Sequence, residues 1–392
     1  MASAAVAVAM TGVLAAGPAA ASPGVGPTTV VALGDSFISG EGGRWLGNGT
    51  ERLGNRSGTD RAAFECGGWG CEYDPARVYG ASEANDCHRS DVAPVESASL
   101  PLEERVNLAC SGARLANVWP AALGGEPHFG EPPQTDRLAA VARRQDVRMV
   151  VVTAGANDVG FGELVAGCAL DWARSDEEEP QLCRYGAGAA LRARLPAAER
   201  GLRRALRGVR GAMAAAGYGP ARYRLAVAGY ASPFPPGRLF RYPEDGWSRL
   251  REGGCPVWNA DADWAAGAAA TLAATMATAA RAAGAEFLDL RQALDGHQLC
   301  DRRARLVGPE GPSPLSAEWV RRLSFAQGSA RESLHPNAYG QRAIGACLGL
   351  FYAAPRGDYA CRSSAGRFLD GMYLTAAMAA PPSARPGGRP GR

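Results

Sequence analysis

The chain has 392 residues, of which 46% are hydrophobic and 21% are charged, so it can bury a sizeable core as one large α/β domain or two ordinary ones. Its formal net charge is only +3, it contains no lysine, and its arginines form no dense basic run. Nucleic-acid binding is therefore not expected.

Five short apolar segments predict the buried strands of a sheet. In chain order they span residues 28–33, 105–109, 147–153, 223–229 and 286–290. One predicted helix opens at Pro196 and ends near Gly217, a second begins near Asn259 or Asp261, and a last one follows Pro336. Their apolar stripes are Leu202, Leu206, Val209 and Met213, then Trp264, Leu272 and Met276, and finally Ile344, Leu348 and Phe351. Strands separated by helices predict an α/β fold with a doubly wound parallel sheet.

Three further segments differ from the rest in composition. Residues 1–21 are small and apolar and end in Ala19-Ala20-Ala21, which resembles a signal-peptidase site and predicts a signal peptide. Residues 40–104 are Gly-rich and Cys-bearing, which indicates an insertion over one end of the sheet. Residues 379–392 are rich in Pro, Gly, Arg and Ser, which predicts a disordered tail. No segment is long and apolar enough to predict a transmembrane anchor.

The ten cysteines are many for a reducing compartment, and their even number suits disulfides. A zinc site is the alternative, but no C-x-x-C motif occurs and there are only four histidines. Sequence alone does not determine the connectivity. Spacing suggests the pairs Cys66/Cys71, Cys87/Cys110, Cys168/Cys183, Cys255/Cys300 and Cys347/Cys361. Together with the signal peptide, they predict a secreted protein.

Small polar motifs follow three of the predicted strands and precede the last helix. Ser36 lies in "GDS", Gly112 in "CSGA", Asn157 in "GAND" and His335 in "LHPN". Because the carboxyl ends of parallel strands meet at one edge of a sheet, these residues are expected to lie together. The glycines around Ser36 match neither a P-loop nor the dinucleotide-binding fingerprint, so phosphate binding is disfavoured.

These residue types form a set for acyl transfer. A serine hydroxyl needs a base to take its proton, and imidazole does so near neutral pH. Two backbone N–H groups and an amide side chain suit the oxyanion of the tetrahedral intermediate. His335 needs a partner that holds its tautomer, which either Glu332 or a nearby carbonyl would supply.

In these four motifs the chain resembles the SGNH (GDSL) hydrolases, particularly secreted actinomycete esterases and lipases, over residues 28–352. The resemblance implies Ser36 as nucleophile, His335 as base, and an oxyanion hole formed by the N–H groups of Ser36 and Gly112 with the Asn157 side chain. It also implies a flavodoxin-like three-layer α/β/α sandwich, in a hydrolase domain over residues 28–375. The family usually has Asp where this chain has Glu332, so a Ser-His dyad oriented by a carbonyl is the alternative to a triad.

The sequence therefore predicts a secreted, monomeric serine hydrolase that needs no metal or cofactor and acts on a small-molecule or lipid ester. Two alternatives use the same site, namely a carbohydrate acetylesterase and an acyltransferase. An alternative of another class is a catalytically idle binding module that keeps the fold. The complete set of Ser, Gly, Asn and His residues argues against the idle module.

Overall fold

The computed structural model describes residues 23–50 and 56–377. The predicted signal peptide and the predicted disordered tail lie outside these residues. Within the described ranges the strands are β1 (Thr28–Gly34), β2 (Ala63–Gly67), β3 (Gly70–Tyr73), β4 (Glu104–Asn107), β5 (Asp146–Thr153), β6 (Arg224–Ala228), β7 (Glu286–Gln292), β8 (Tyr359–Ser363) and β9 (Met372–Ala376).

Seven of these strands form one sheet in the order β4-β1-β5-β6-β7-β8-β9, in which every neighbouring pair is parallel except β8 and β9. The first five of its strands along the chain follow the order 2-1-3-4-5 of flavodoxin-like folds. The predicted α/β class and parallel sheet are confirmed, and the antiparallel edge formed by β8 and β9 has no counterpart in the prediction. The chain order reverses between β1 and β5, which is where open α/β sheets bind ligands.

The α-helices in the described part of the chain differ widely in length. They are α1 (Ser36–Ser39), α2 (Ala76–Tyr79), α3 (Pro94–Ser97), α4 (Leu115–Val118), α5 (Gln134–Ala142), α6 (Phe161–Arg174), α7 (Arg184–Ala215), α8 (Asn259–Ala282) and α9 (Ala338–Ala353). Among the described residues, no helix is long and apolar enough to cross a membrane.

Helices cover both faces of the sheet because side chains alternate along each strand. Val30 and Ala32 of β1 belong to a core with α3 and α9. Val31 and Leu33 belong to a second core with α5, α7 and α8. The molecule is therefore a three-layer α/β/α sandwich.

The helix expected to open at Pro196 instead runs over Arg184–Ala215 with Pro196 inside it. Proline lacks the N–H that would donate to the carbonyl four residues earlier, at a cost of about 3 kcal/mol. Pro196 lies on the exposed side of α7, where water can solvate that carbonyl. Leu195 before it and Leu202 after it are both buried. Packing of these residues against the sheet therefore keeps the helix continuous past Pro196.

All ten cysteines form disulfides, and the bonds are the five neighbouring pairs suggested by spacing. The Sγ atoms of Cys168 and Cys183 lie near a carboxylate oxygen of Asp261. Because those two sulfurs are bonded to each other, they are not the thiolates that a zinc site requires.

Candidate active site

Ser36 lies in a sharp turn between β1 and α1. Gly34, the last residue of β1, has a φ of +139°, and a Cβ at this position would lie 1.8 Å from the carbonyl oxygen of Thr153. Only glycine fits that close approach between β1 and β5. The turn therefore brings the Ser36 hydroxyl to the carboxyl edge of the sheet, beside the point where the strand order reverses.

Asp35 braces this turn. Its carboxylate accepts hydrogen bonds from the Phe37 N–H at 3.1 Å and from the Tyr230 hydroxyl at 2.5 Å. Burial raises the pKa of Asp35 to about 7, although both hydrogen bonds act to lower it. Tyr230 thus ties the Ser36 turn to the segment that follows β6.

The hydroxyl of Ser36 is paired with His335. The Ser36 Oγ lies 2.7 Å from the His335 Nε2, and the His335 Nδ1 lies 3.1 Å from the carbonyl oxygen of Ser333. Since a carbonyl can only accept, the Nδ1 carries the proton and the Nε2 is free to accept the Ser36 proton. Burial lowers the pKa of His335, and the more distant charge of Glu41 offsets this only in part. The imidazole is therefore neutral at neutral pH.

A strained turn holds His335 in place. Leu334, which precedes it, has a φ of +64°, an uncommon backbone conformation for a residue other than glycine. The Leu334 N–H donates to the Arg321 carbonyl, and the His335 carbonyl accepts from the Arg321 N–H, both at 2.8 Å. These two hydrogen bonds fix the backbone from which the imidazole projects.

Glu332, one of the two partners considered for His335, is buried, and its carboxylate is not bonded to the His335 ring. Glu332 is 1% exposed. Its oxygens accept from the Tyr79 hydroxyl at 2.7 Å, from the Trp45 indole at 3.0 Å and from the Ser329 N–H at 3.0 Å. These three donors occupy the carboxylate, so the geometry matches the alternative in which a carbonyl orients His335.

The predicted oxyanion donors lie in the same cleft as Ser36 and His335. Gly112 has a φ of +75°, and the Asn157 amide donates to the Ala113 carbonyl at 2.9 Å. Among the described residues, the backbone N–H groups of Ser36 and Gly112 have no hydrogen-bond acceptor. Both N–H groups and the second Asn157 amide hydrogen are therefore available to an oxygen in the cleft.

A buried glutamate–histidine pair supports the Gly112 turn, and the sequence analysis missed it. Glu41 is fully buried and accepts from the Ser111 hydroxyl at 2.6 Å. The same carboxylate lies 2.8 Å from the His88 Nδ1. Burial acts to lower the pKa of His88, but the hydrogen bond to Glu41 and the charges of nearby carboxylates together outweigh burial, so the pKa is raised. The pair holds the residue directly before Gly112.

Two further contacts hold the same turn. The His128 Nε2 lies 2.8 Å from the Ser111 carbonyl oxygen. The Cys87–Cys110 disulfide joins the residue before His88 to the residue before Ser111. The signal available in the sequence was Glu41 itself, an acid inside the Gly-rich run "SGEGG" directly after the Ser36 motif.

An apolar cleft of about 650 Å³ opens above Ser36 and His335. Helices α6, α7 and α8 form one wall, through Leu164, Leu191 and Leu272 among other residues. Phe325 and Phe161 also line the cleft and are 81% and 36% exposed. The arrangement can place an ester carbonyl at Ser36 and an apolar group along the helices.

The sequence model of the GDSL-like lipase/acylhydrolase family matches residues 79–343 of this chain. This range includes Gly112, Asn157 and His335, whereas Ser36 precedes it. No curated protein matches the chain.

Solved structures of several esterases and lipases are similar to the chain. The extracellular lipase of Streptomyces rimosus has 22% sequence identity and a TM-score of 0.44, over 82% of this chain and 98% of the lipase. The phospholipase A1 of Streptomyces albidoflavus NA297 has 19% identity and a TM-score of 0.49, over 83% of this chain and 99% of the phospholipase. A carbohydrate acetylesterase from Sinorhizobium meliloti has 13% identity and a TM-score of 0.32, over 82% of this chain and 96% of that enzyme.

Proposed function

Because the chain belongs to the GDSL-like lipase/acylhydrolase family and is a carboxylic ester hydrolase, we propose that Ser36 is its nucleophile and His335 its general base. The observation that carries this assignment is the 2.7 Å contact between the Ser36 Oγ and the His335 Nε2 at the base of the cleft. The 3.1 Å contact between the His335 Nδ1 and the Ser333 carbonyl supports a dyad.

The reaction follows from this geometry in two halves. Ser36 attacks the acyl carbon as the His335 Nε2 takes its proton, and the carbonyl oxygen gains the negative charge. The N–H groups of Ser36 and Gly112 and the amide of Asn157 stabilise that oxyanion. His335 then returns the proton to the departing alcohol oxygen, which leaves an acyl-enzyme. Water, activated by His335, hydrolyses it and restores the Ser36 hydroxyl.

The cleft supports esters with an apolar acyl or alkyl group as substrates. Its lining along α6, α7 and α8 is almost entirely hydrocarbon, which favours burial of a chain rather than of a sugar ring. We therefore expect kcat/KM to rise with acyl-chain length until the chain outgrows the cleft.

Export to an oxidising compartment is also part of the proposal. Ten cysteines in five disulfides are typical of secreted proteins and rare in a reducing cytosol.

Rates on p-nitrophenyl esters of graded chain length test the proposal. Ser36→Ala should abolish hydrolysis of every ester and leave the melting temperature unchanged, because it removes the nucleophile and little volume. Ser99→Ala is the matched control, since Ser99 is exposed and lies outside the cleft. Substantial turnover by pure Ser36→Ala protein would refute the assignment, and a preference for acetyl esters would refute the apolar substrate class.

A further inference from the structure

The hydroxyl of Tyr230 lies between the two loops that carry the proposed nucleophile and the proposed oxyanion amide. It lies 2.5 Å from the Asp35 carboxylate and 3.1 Å from the backbone nitrogen of Ala156. Because the Ala156 N–H can only donate, the hydroxyl accepts from it and gives its own proton to Asp35. Asp35 directly precedes Ser36, and Ala156 directly precedes Asn157. One hydroxyl therefore joins the two loops.

The sheet alone does not fix the distance between these loops. The pairing of β1 with β5 ends at Gly34 and Thr153, and the Asp35 N–H then donates to the Thr153 carbonyl at 2.9 Å. Gly155 has a φ of +128°, so the chain turns away from the direction of β5 before it reaches the amide. Beyond Thr153, the Tyr230 bridge is the hydrogen-bonded link between the two loops among the described residues.

Tyr230 is itself held by the core and not by either loop. It follows β6, and the preceding Gly229 N–H donates to the Leu288 carbonyl of β7 at 2.9 Å. Its ring packs edge-on against Phe37, with centroids 5.3 Å apart. Burial raises the pKa of Tyr230 well above its ordinary range, so the hydroxyl keeps its proton and stays a donor.

The loop of Asn157 is tied in turn to the Gly112 turn. The Asn157 amide donates to the Ala113 carbonyl at 2.9 Å, and the Asp158 carboxylate accepts from the Leu115 N–H at 3.1 Å. Hydrogen bonds therefore connect the three proposed oxyanion donors in series, and Tyr230 forms the first connection.

We propose that Tyr230 is a positioning residue of the oxyanion hole, which holds the Asn157 amide at the correct distance from the Ser36 N–H. This role rests on the proposed function, because it requires that these two groups stabilise the oxyanion. Tyr230 acts through Asp35 and Ala156. Donors must lie about 2.7–3.1 Å from the oxyanion, and a misplacement of about 1 Å can lower the rate about a hundredfold.

Tyr230→Phe tests the proposal on one p-nitrophenyl ester. The substitution removes the hydroxyl and keeps the ring against Phe37. We expect kcat to fall by about tenfold to a hundredfold and KM to change little, because the ground-state carbonyl depends less on the oxyanion hole than the transition state does.

Tyr218→Phe is the matched control. The Tyr218 hydroxyl also bridges two groups, since it accepts from the Val147 N–H at 3.0 Å and donates to the Gln145 carbonyl at 2.6 Å. This bridge lies at the opposite end of β5, outside the cleft. Tyr218→Phe should keep the kcat of wild type. An unchanged kcat in Tyr230→Phe, or an equal loss of kcat in the two variants, would overturn the positioning role.

A double-mutant cycle shows whether Tyr230 acts through Asn157. Asn157→Ala alone should lower kcat by roughly 10²–10³-fold, the usual cost of one lost oxyanion donor. In that background Tyr230→Phe should lower kcat by less than about threefold, because the amide that it positions is already gone. The same loss of kcat from Tyr230→Phe in both backgrounds would contradict the proposal.

Ser36→Ala separates this proposal from the proposed function. If Ser36→Ala is inactive and Asn157→Ala is slow while Tyr230→Phe keeps the kcat of wild type, only the positioning role fails. If pure Ser36→Ala protein turns over the ester, the proposed function fails and the positioning role fails with it.

Discussion

The hydrogen bond between the His335 Nδ1 and the Ser333 carbonyl selects the ring nitrogen that faces Ser36, and a carbonyl does this without adding a second negative charge. The charges of Glu41 and Glu332 act through space and raise the pKa of His335. Burial outweighs them and favours the neutral ring. The pH dependence of catalysis should therefore report this balance at a single residue.

The acid limb of the pH profile, in which kcat/KM falls as the pH falls, tests this balance between burial and charge at His335. The proposed base works only when neutral, so activity should be lost as the pH falls through the pKa of His335. Because burial lowers that pKa, the midpoint of the limb should lie below 6.5, the ordinary value for histidine. A midpoint above 6.5 would contradict this.

Asp35 offers an internal check on the acid limb, because a group with its pKa of about 7 would also titrate near neutral pH. Tyr230→Phe removes a hydrogen bond that lowers the Asp35 pKa, so a limb that belonged to Asp35 would move to higher pH in this variant. We expect the midpoint to stay in place.

Glu332→Gln tests the role of the buried carboxylate. We expect kcat/KM to fall by about tenfold, against roughly 10³-fold or more for His335→Ala, because Glu332 shapes the turn but does not touch the ring. The amide should also lower stability, since its NH₂ group cannot accept from all three donors. Both variants are measured on one activated ester. An equal loss of activity in the two variants would instead indicate a Ser-His-Glu triad.

At the scale of elements, the turn that carries Gly112 is built from distant parts of the chain. Glu41 follows α1, His88 lies between α2 and α3, and His128 lies between α4 and α5, yet all three support residues next to Gly112. An oxyanion donor must be aimed before the reaction begins, so the proposed role of Gly112 requires that these contacts hold its turn in place.

Ser111→Ala tests that view. It removes the hydroxyl that donates to Glu41, so the Gly112 N–H should no longer be held toward the oxyanion. We expect kcat to fall by about tenfold to a hundredfold and KM to change little. Ser97→Ala is the matched control, because it also removes a hydroxyl hydrogen bond, to the Val92 carbonyl, but lies outside the cleft. An equal effect of the two substitutions on kcat would mean that the Ser111 hydrogen bond is merely structural.

The elements that were predicted correctly carry strong local signals. The runs that became β1 and β5 are continuous apolar segments, which bury on both faces of a parallel sheet. Strand β8, which lies between β7 and the edge strand β9, is mostly half-buried and includes two polar residues, Arg362 and Ser363, so it lacks both an apolar run and clear alternation. The first part of α7 was missed because proline usually begins a helix, and only tertiary packing carries this one past Pro196.

The candidate active site also contains features that the sequence predicts and features that only the structure shows. Ser36, Gly112 and Asn157 lie in short motifs that follow strands, and His335 lies in a motif that precedes the last helix, so local patterns indicate all four. The environment of Glu332 depends on Trp45 and Tyr79, which lie 287 and 253 residues away along the chain. No local pattern encodes contacts at such separations, so the partner of His335 had to come from the structure.

At the scale of the whole molecule, disulfides join the layers and the walls of the cleft. Cys168–Cys183 links α6 to the start of α7, and Cys347–Cys361 links α9 to β8. Cys168 also lines the cleft, so its bond to Cys183 fixes this wall of the cleft to α7.

Individual disulfides should contribute unequally to the free energy of unfolding. Cys255–Cys300 closes a loop of 45 residues and Cys66–Cys71 one of 5. Because a cross-link restricts the unfolded chain more when its loop is longer, the double Cys→Ala changes should cost about 4 and about 2 kcal/mol respectively. Cys255 and Cys300 are also fully buried, which adds a packing loss in the same direction. Urea midpoints measure both variants, and equal or reversed losses would contradict the expectation.

Covalent labelling with a fluorophosphonate tests the central assignment most directly. An activated serine displaces fluoride from phosphorus, and peptide mass spectrometry then locates the adduct. We predict one label per chain on Ser36, none on the Ser36→Ala protein, a strongly reduced rate in His335→Ala, and an unchanged rate in the Ser99→Ala control. A label on another serine, or full labelling of Ser36→Ala, would contradict the assignment of Ser36 as the nucleophile.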